Sequence, residues 1–361
     1  MINTETGLPC DRNSTYETLA YEEFPLNFWF KGILAPCMAC FGIIGNLLTV
    51  FILSRPQMIS SIHIVLLGLA VADTIVLLAT LFIIFLPTLC AFAVIRLPCP
   101  LIYYMIPWSY FIGLTAQTCS TYLTVAVTLE RYIAVCYPLR SRYWWSPEKA
   151  KLCVFIVTVF AIIYNIPRPM EVIHSTVLHE DGNRCIPGMM VETELRQHPV
   201  YVSVYITWMY FIVMYIGPLL TLAWLNFKIY RQIGQSMKVR STLTRNQEKE
   251  IKLTIMLFGV VIVFCLCNLL SLINNVLEWF EIEEQGLLGT GDIPVTINSS
   301  VNVIFYCIFG AKFRRMIMVY LGLGCLCKKD ADFHRVNTVY RSQSKRSEIT
   351  VVCLLPEETC V

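Results

Sequence analysis

The chain has 361 residues, of which 56% are hydrophobic and only 15% are charged, whereas soluble globular proteins carry about 25% charged residues. This composition excludes an ordinary soluble protein and indicates a membrane protein, and at a net charge of only +3 we expect no nucleic-acid partner. The five histidines are scattered without the spacing of a metal or catalytic site, so we do not expect an enzyme.

Seven apolar segments are long enough to cross a bilayer as helices, which takes about 20 residues. Two of them are weaker than the rest: the second is interrupted by Asp73, and the fourth is short but is extended at its start by residues 147–151. The sequence therefore predicts an all-α membrane protein with a seven-helix bundle. The segments are 32–54, 56–95, 97–129, 152–167, 199–227, 253–277 and 293–311.

The loops between these segments differ in charge. With the N-terminus outside, the cytoplasmic side carries 22 Lys and Arg residues against nine acids, and the outer side carries six against 15. This asymmetry follows the positive-inside rule. We therefore expect a multi-pass protein of the plasma membrane with an extracellular N-terminus, residues 1–27, in which Asn13-Ser14-Thr15 is an N-glycosylation acceptor.

Asp73 places a carboxylate near the middle of the second segment, which costs several kcal/mol unless the group has partners. One interpretation is a protonated, hydrogen-bonded carboxyl group. The other is a polar pocket whose oxygen atoms hold a sodium ion, and we expect no other cofactor. This pocket would be formed by Asp73, Ser120, Asn298, Ser299 and Asn302.

The third segment has no charged residue between positions 97 and 129 and then ends in Glu130-Arg131-Tyr132. An acid and an arginine side by side at the end of an apolar segment are either an anchor at the membrane boundary or a switch. The neighbouring motifs decide between these two interpretations.

Five motifs occur in order on the appropriate segments, and together they resemble the rhodopsin-like (class A) G-protein-coupled receptors over roughly residues 33–327. Tyr164-Asn165-Ile166-Pro167-Arg168 and Cys267-Asn268 narrow the resemblance to the invertebrate FMRFamide-type neuropeptide receptors. The five motifs are Asn46, Asp73, Glu130-Arg131-Tyr132, Cys136-Tyr137-Pro138-Leu139 and Asn302-Val303-Ile304-Phe305-Tyr306.

The resemblance implies a seven-transmembrane receptor domain over residues 28–311 and a switch at its cytoplasmic mouth. Arg131 would pair with Glu130 and, at rest, with Glu250. On activation the sixth helix would swing outward and Arg131 would pack against a heterotrimeric G protein. The implied switch residues are Glu130, Arg131, Tyr132, Glu250, Asn302 and Tyr306.

Some positions depart from the family pattern. Asn268 stands where a tryptophan is usual, Leu270 where the kink proline is expected, Val303 in place of a proline and Asn226 in place of a common tyrosine. These departures concern the details of activation rather than the class.

The resemblance also implies a disulfide between the outer loop, at Cys185, and the top of the third helix, with Cys99 as the obvious partner. Cys99 lies about two helical turns farther from Arg131 than the family pattern places it. Either the third helix is longer or Cys99 sits in the preceding loop, and Cys90 and Cys10 remain alternatives.

The sequence after Gly310 predicts a membrane-surface helix over residues 312–327, followed by a cytoplasmic tail over residues 328–361. The helix is amphipathic and basic, which favours contact with membrane lipid, and Cys325 and Cys327 are candidates for palmitoylation. The tail ends in Thr359-Cys360-Val361, which suits strand addition to a PDZ domain, and arrestin is a further expected partner.

Several ligand classes lack the residues that they would need. An amine receptor would be expected to have a carboxylate where the third segment has Gly113, and an opsin a lysine near Thr296. The outer half has few cations for a phosphate ligand. These are Arg96, Arg168, Arg184 and Arg196.

The outer face is instead acidic, which favours capture of a cationic ligand. An amidated peptide ending in Arg-Phe fits, with its guanidinium bound by Glu278 or Asp292 and its phenylalanine on an aromatic floor that includes Trp108, Tyr110 and Phe111. The predicted ligand-binding residues are Gln117, Glu171, Tyr205, Trp208, Glu278 and Asp292.

Two alternatives remain at this point. One is a class A receptor for another peptide or a small ligand, and the other is a transporter that uses Asp73 as a substrate or proton site. Transporters often contain inverted repeats, and we find no comparable halves in this sequence.

Overall fold

The computed structural model describes residues 28–58, 60–91, 99–178, 185–239, 258–271, 273, 292–309 and 311–320. We number eight helices in this part of the chain. Helix α1 starts as a π-helix and continues as an α-helix, α2 contains a π-helical stretch, and the outer part of α5 is π-helical. The bounds are α1 Phe28–Leu34 and Ala35–Leu53, α2 Ser61–Thr80, Leu81–Phe85 and Leu86–Ala91, α3 Cys99–Cys136, α4 Pro147–Asn165, α5 Tyr201–Met209, Phe211–Ile216 and Gly217–Val239, α6 Phe258–Ser271, α7 Asp292–Phe309 and α8 Ala311–Tyr320.

Short elements connect these helices. A 3-10 turn, Pro56–Met58, follows α1, and a short helix, Pro138–Trp144, follows α3. At the end that the sequence predicts to be extracellular, a 3-10 turn, Arg168–Met170, leads from α4 into an antiparallel hairpin and a helical turn. The hairpin consists of β1, Val172–Leu178, and β2, Cys185–Glu192, and the turn is Glu194–Gln197.

Four of the described helices are long and apolar enough to cross a membrane: Trp29–Leu53, Ser61–Leu89, Pro147–Met170 and Pro199–Gln235. They coincide with the first, second, fourth and fifth predicted segments. Helices α3, α6 and α7 overlap the other three predicted segments, and α3 continues seven residues past the predicted end at position 129. Of the two alternatives for Cys99, the structure has the longer helix, because α3 begins at that residue.

Helix α3 is the centre of the bundle and packs against α2, α4 and α5, while α1 packs against α2 and α7. It carries buried threonines, which a membrane helix tolerates when their hydroxyls return to the backbone one turn earlier. Thr118 donates to the Leu114 carbonyl at 2.8 Å, and Thr124 and Thr128 do the same with Ser120 and Thr124 at 2.9 Å. This helix can therefore be central without leaving those hydroxyls unsatisfied.

Helices α1 and α7 approach each other closely at Gly45, where an added Cβ would overlap the Cγ1 methyl of Val303. The contact is reinforced by hydrogen bonds to the backbone. The Ser300 hydroxyl donates to the Met38 carbonyl at 3.1 Å, and the Asn46 amide donates to the Ser299 carbonyl at 2.8 Å. Because Gly45 has no side chain, the backbones of α1 and α7 can approach closely enough for these hydrogen bonds to form.

The outward face of α4 is apolar and exposed, with Phe155 and Ile163 64% and 62% accessible, as expected for a surface that meets lipid. Residues 311–361 form a unit of their own. Its described part is α8, which begins one residue before the predicted surface helix and covers the first part of it, with Arg314 and Arg315 beside apolar residues. Cys325, Cys327 and the tail lie outside the described residues.

Candidate functional site

Asp73 lies at the meeting point of α2, α3 and α7 and is completely buried. The Ser120 hydroxyl donates to its Oδ1 at 2.6 Å, and the Asn302 amide donates to its Oδ2 at 2.7 Å. Ser299 of α7 is a further side-chain neighbour of the carboxylate. The carboxylate is therefore satisfied on both oxygens by residues that lie far apart in the chain.

This Asp73 cluster brings together four of the five residues proposed for a sodium site, and the fifth, Asn298, precedes Ser299 in α7. Carboxylate, hydroxyl and amide oxygens are the hard ligands that alkali and alkaline-earth cations prefer. The residues present therefore fit a sodium ion. Within the described ranges no three His, Cys, Asp or Glu side chains gather as they would at a transition-metal site.

A small polar cavity adjoins the Asp73 cluster and shares Ser120 and Ser299 with it. About 10 Å³ is open to the centre of a water molecule, which is room for roughly one water. The predicted ligand residue Gln117 lies in its wall. The full lining is Gln117, Ser120, Thr121, Cys267, Asn268, Ser271, Pro294, Val295, Asn298 and Ser299.

Glu130 and Arg131 form a buried, two-pronged ion pair near the C-terminal end of α3, which the sequence predicts to be cytoplasmic. Arg131 Nη2 lies 2.9 Å from Glu130 Oε1, and Arg131 Nε lies 3.1 Å from Glu130 Oε2. Both side chains are less than 10% exposed. A buried ion pair with two hydrogen bonds is stronger than an exposed ion pair. This burial argues against the interpretation of Glu130 and Arg131 as simple anchors at the membrane boundary.

The other residues assigned to the switch have contacts of their own. The Tyr132 ring contacts Tyr137 edge-on and Trp224 of α5. Tyr306 of α7 is buried and lines a second cavity together with Thr128 of α3 and Val260 of α6. Glu250, the proposed resting partner of Arg131, lies outside the described residues.

The outer ends of α4 and α5 are joined by a second buried charge cluster, which we call the outer cluster: Arg168, Glu171, Arg196, Tyr201 and Tyr205. Arg168 Nη1 lies 3.3 Å from Glu171 Oε1, and the Tyr201 hydroxyl donates to the same oxygen at 2.8 Å. Arg196 Nη1 approaches Oε2 at 3.9 Å. The Arg168 guanidinium lies 5.2 Å from the centre of the Tyr205 ring, in cation–π contact.

The local chain geometry explains this arrangement. Pro167 follows the end of α4, and the 3-10 turn Arg168–Met170 then reverses the chain. Thr193, just after β2, fixes the turn from the other side, since its hydroxyl donates to the Met170 carbonyl at 2.8 Å and its amide to the Glu171 carbonyl at 3.0 Å. Sequence reasoning treated Arg168 as one of several outer cations and missed its burial. The motif from Tyr164 to Arg168 marks this segment but does not by itself specify the burial of Arg168.

The predicted ligand residues are distributed over different places. Gln117 lines the polar cavity, whereas Glu171 and Tyr205 belong to the outer cluster, where the Tyr205 hydroxyl donates to the Tyr164 carbonyl at 2.6 Å. Trp208 is 54% exposed and contacts Phe211, so the structure does not bring it to Tyr205. Of the predicted floor, Trp108 is also largely exposed.

Several predicted sites fall outside the part of the chain whose side chains are described. Asp292 begins α7 and Cys99 begins α3, while Cys185 begins β2, but only their backbones are described. The same holds for Cys90 in α2. Cys10, Asn13 and Glu278 lie outside the described residues altogether, as do positions 359–361.

The bundle, its buried Asp73 cluster and the acid–arginine pair define a helical membrane protein of the receptor type. A sequence model of the 7 transmembrane receptor (rhodopsin family) matches residues 45–308. The chain belongs to this family, which confirms the resemblance and the seven-helix fold predicted from the sequence. It also places the chain among receptors rather than enzymes, and the transporter alternative is set aside.

Three relatives illustrate the similarity. The FMRFamide receptor of Drosophila melanogaster is 39% identical over 300 residues, which are 81% of this chain and 54% of that receptor. An FMRFamide peptide receptor of Caenorhabditis elegans is 32% identical over 319 residues, 84% of this chain and 72% of the relative. The human growth hormone secretagogue receptor type 1 is 26% identical over 321 residues, 81% of each chain. This chain thus spans about half the length of the Drosophila receptor.

Proposed function

We propose that the chain is a receptor for an extracellular neuropeptide and that its inner face activates heterotrimeric G proteins. The observation that carries this proposal is the buried, two-pronged pair of Glu130 and Arg131 near the C-terminal end of α3. A pair held out of water keeps one helix arrangement until another partner for Arg131 becomes available. Such a pair biases a two-state equilibrium.

Peptide binding shifts this equilibrium only if the peptide binds more tightly to one of the two states. In the resting state Arg131 is held by Glu130 and, as we propose, by Glu250 at the start of the sixth segment. Release of α6 would free Arg131 for a helix of the G protein, and Tyr306, which already lines a cavity between α3 and α6, would turn inward. Asn302 links this region to Asp73.

The ligand is proposed to be a cationic, amidated peptide of the Arg-Phe-amide type. Two relatives, at 39% and 32% identity, are named as receptors for FMRFamide peptides, and the outer loops of this chain are acidic. Glu171 already faces two arginines and a tyrosine. The ligand's guanidinium is assigned to Glu278 or Asp292, which lie at the two ends of the third outer loop in the sequence, because a charge-assisted pair needs a carboxylate.

The test of this function is signalling in cells that express the chain. Calcium and cyclic-nucleotide responses are measured for Arg-Phe-amide peptides and for the same peptides as free acids. A response to the amides alone supports the receptor mechanism and the ligand class together. Silence to every peptide would refute this ligand class and leave membership of the family unaffected.

A pair of charge removals tests the guanidinium assignment. We expect Glu278→Gln or Asp292→Asn to raise the half-maximal peptide concentration at least tenfold, about 1.4 kcal/mol, at unchanged surface expression. Glu192→Gln is the matched control, because Glu192 is an outer acid whose side chain is 57% exposed. Full potency in both test variants would remove the assignment.

Further features complete the proposal. The receptor would lie in the plasma membrane with its N-terminus outside, glycosylated at Asn13 and with Cys185 bonded to Cys99. A sodium ion at Asp73 would act as an allosteric ligand. Palmitoylation at Cys325 and Cys327 would hold the surface helix to the membrane, and arrestin and a PDZ domain would bind the tail.

A further inference from the structure

Basic residues gather where the chain passes from α3 to α4. Residues 138–151 contain four Lys and Arg residues against one acid. The sequence places this stretch on the cytoplasmic side, at the start of a helix that is long and apolar enough to cross a membrane. The basic residues are Arg140 and Arg142 on the short helix Pro138–Trp144, and Lys149 and Lys151 near the start of α4.

Two of these cations are held against neighbouring aromatic residues of the short helix. Lys149 Nζ donates to the Tyr143 carbonyl at 2.9 Å and lies 5.1 Å from the centre of the Tyr143 ring. The Arg140 guanidinium lies 5.6 Å from the centre of the Trp144 ring. Cations from two separate elements are thus positioned beside adjacent residues of one helical turn.

The positive charge of this surface is not neutralised by the described part of the chain. Arg140, Lys149 and Lys151 are exposed, and no described carboxylate forms a salt bridge with any of them. Lys149 uses one of its three N–H donors on the Tyr143 carbonyl, and the described contacts leave the other two for an external acceptor. The single acid, Glu148, lies beside Ser146 at the N-terminus of α4, where the helix dipole favours a negative charge.

The surface continues from these cations into the apolar face of α4. Phe155 lies six residues after Lys149, which is about 9 Å farther along the helix, and Leu152, Phe155 and Ile156 are exposed. The polar layer of a bilayer occupies roughly 5–8 Å of each leaflet. With Lys149 at the level of the lipid phosphates, Phe155 therefore lies at the level of the acyl chains, and the surface matches the order of groups in a phospholipid.

The number of cations indicates which phospholipid fits. A zwitterionic headgroup has no net charge, and phosphatidylserine has one negative charge, whereas each phosphomonoester of a phosphoinositide carries about −1.5 to −2 at pH 7. Clusters of about four to eight Lys and Arg residues on the cytoplasmic side of a membrane helix attract such lipids. The guanidinium of Arg140 can also bind a phosphate through two parallel hydrogen bonds.

We propose that the short helix Pro138–Trp144 and the start of α4 form a binding site for a phosphoinositide of the cytoplasmic leaflet. Arg140 and Lys149 bind its phosphates, and the apolar face of α4 contacts its acyl chains. Because Arg140 belongs to the short helix and Lys149 to α4, a headgroup that contacts both holds these two elements together. The site does not depend on the identity of the peptide ligand.

The test measures binding of fluorescent dioctanoyl phosphatidylinositol bisphosphate to the full-length receptor, purified in an uncharged detergent and monodisperse by size-exclusion chromatography. We expect Arg140→Gln/Lys149→Gln to raise the dissociation constant at least tenfold, about 1.4 kcal/mol. Glutamine keeps an N–H donor for the Tyr143 carbonyl and removes the charge. The charge-conserving variant Arg140→Lys/Lys149→Arg should bind nearly as well as the unmodified receptor, and Glu148→Gln should bind more tightly.

Lys228→Gln/Arg231→Gln is the matched control. These two cations are exposed on the predicted cytoplasmic part of α5, 5.7 Å and 5.8 Å from the centres of the Trp224 and Phe227 rings. The control removes the same two charge types from the same predicted side of the membrane, but from a single helix. It should leave the dissociation constant nearly unchanged. An equal loss of binding in both double variants would show general attraction to a basic surface and overturn the proposal.

Competitors distinguish the other possible occupants. Dioctanoyl phosphatidylserine and the chain-free inositol trisphosphate should each displace the probe only at a concentration at least tenfold higher than unlabelled dioctanoyl phosphatidylinositol bisphosphate. Displacement by either competitor at an equal concentration would overturn the assignment to a phosphoinositide. The proposal also fails if the unmodified receptor does not bind the probe. It fails as well if Arg140→Gln/Lys149→Gln keeps full binding and instead loses G-protein activation, which would assign the surface to the G protein.

Discussion

Glu171 offers a direct test of the outer cluster, because its carboxylate is the only negative charge that the described contacts place against buried Arg168. The change to examine is Glu171→Gln. Glutamine keeps the shape of the side chain and an oxygen that can accept the Tyr201 hydroxyl, so the substitution removes the charge and little else. Arg168, which is 6% exposed, then remains charged without its partner.

The expected cost follows from the distances. At 3.3 Å and an effective dielectric constant of about 20, the attraction between the two charges is about 5 kcal/mol. Removing one partner of a buried pair costs about 3–5 kcal/mol in proteins. The contact with Arg196 adds little, since that arginine is 34% exposed and 3.9 Å away, and such pairs contribute at most about 1 kcal/mol.

The assay is the unfolding temperature of the receptor purified in detergent, with Glu192→Gln as control. Glu192 pairs with Arg196 at 3.7 Å, but its side chain is 57% exposed, so we expect a loss of at most about 1 kcal/mol. Glu171→Gln should lower the unfolding temperature much more. Adding Arg168→Met to Glu171→Gln should recover part of the loss, because the unpaired charge is removed as well.

Equal unfolding temperatures for Glu171→Gln and Glu192→Gln would refute this reasoning. If peptide potency then fell for Glu171→Gln alone, Glu171 would be a ligand residue, as the sequence predicted, rather than a partner that holds Arg168 in place. A lower unfolding temperature that a bound peptide does not restore would assign it to the structure of the outer cluster.

Two further predictions concern the core. Asp73→Asn should abolish the effect of sodium on agonist affinity while surface expression persists, and sodium sensitivity that survives the substitution would leave the Asp73 cluster with a structural role only. Gly45→Ala should reduce surface expression, because its Cβ would overlap Val303. Gly234→Ala in α5, where nothing lies within 4 Å of the added Cβ, should instead be neutral or stabilise by about 0.5–1 kcal/mol; equal expression of the two variants would contradict the close approach of α1 and α7.

The fold and the inner polar core follow from constraints that the sequence displays. A bilayer requires long apolar helices, and polar residues within them must find one another. Asp73 therefore meets Ser120 and Asn302, 47 and 229 positions away, as the sequence predicted. The pairing of Glu130 with Arg131 needs only one turn of helix. These predictions need two pieces of information. The composition shows that the surrounding solvent is a lipid bilayer, and the motifs show the order of the segments along the chain.

The outer cluster depends on a different kind of information. Whether an arginine near the end of a membrane segment meets water or is buried depends on where the helix stops and on what returns to cover it. Here Thr193, 22 positions after Glu171, bonds to the turn that follows α4, and the aromatic rings of α5 cover Arg168. No local pattern in residues 164–171 specifies that contact.

The described structure separates two predicted ligand residues, Tyr205 and Trp208, for a reason that lies in the winding of α5. Prediction of a helix face assumes α-helical spacing, in which residues three apart share a face. The outer part of α5 is π-helical over Tyr201–Met209 and Phe211–Ile216, and the Thr207 hydroxyl accordingly donates to the carbonyl five residues earlier. The wider turn places Tyr205 inside and leaves Trp208, three residues on, 54% exposed. π-helical turns have no reliable sequence signature, so the exposure of Trp208 could not be predicted. Such turns occur often at functional sites, and this part of α5 is therefore a place to look for ligand contacts. Tyr205, and not Trp208, is the residue to substitute first.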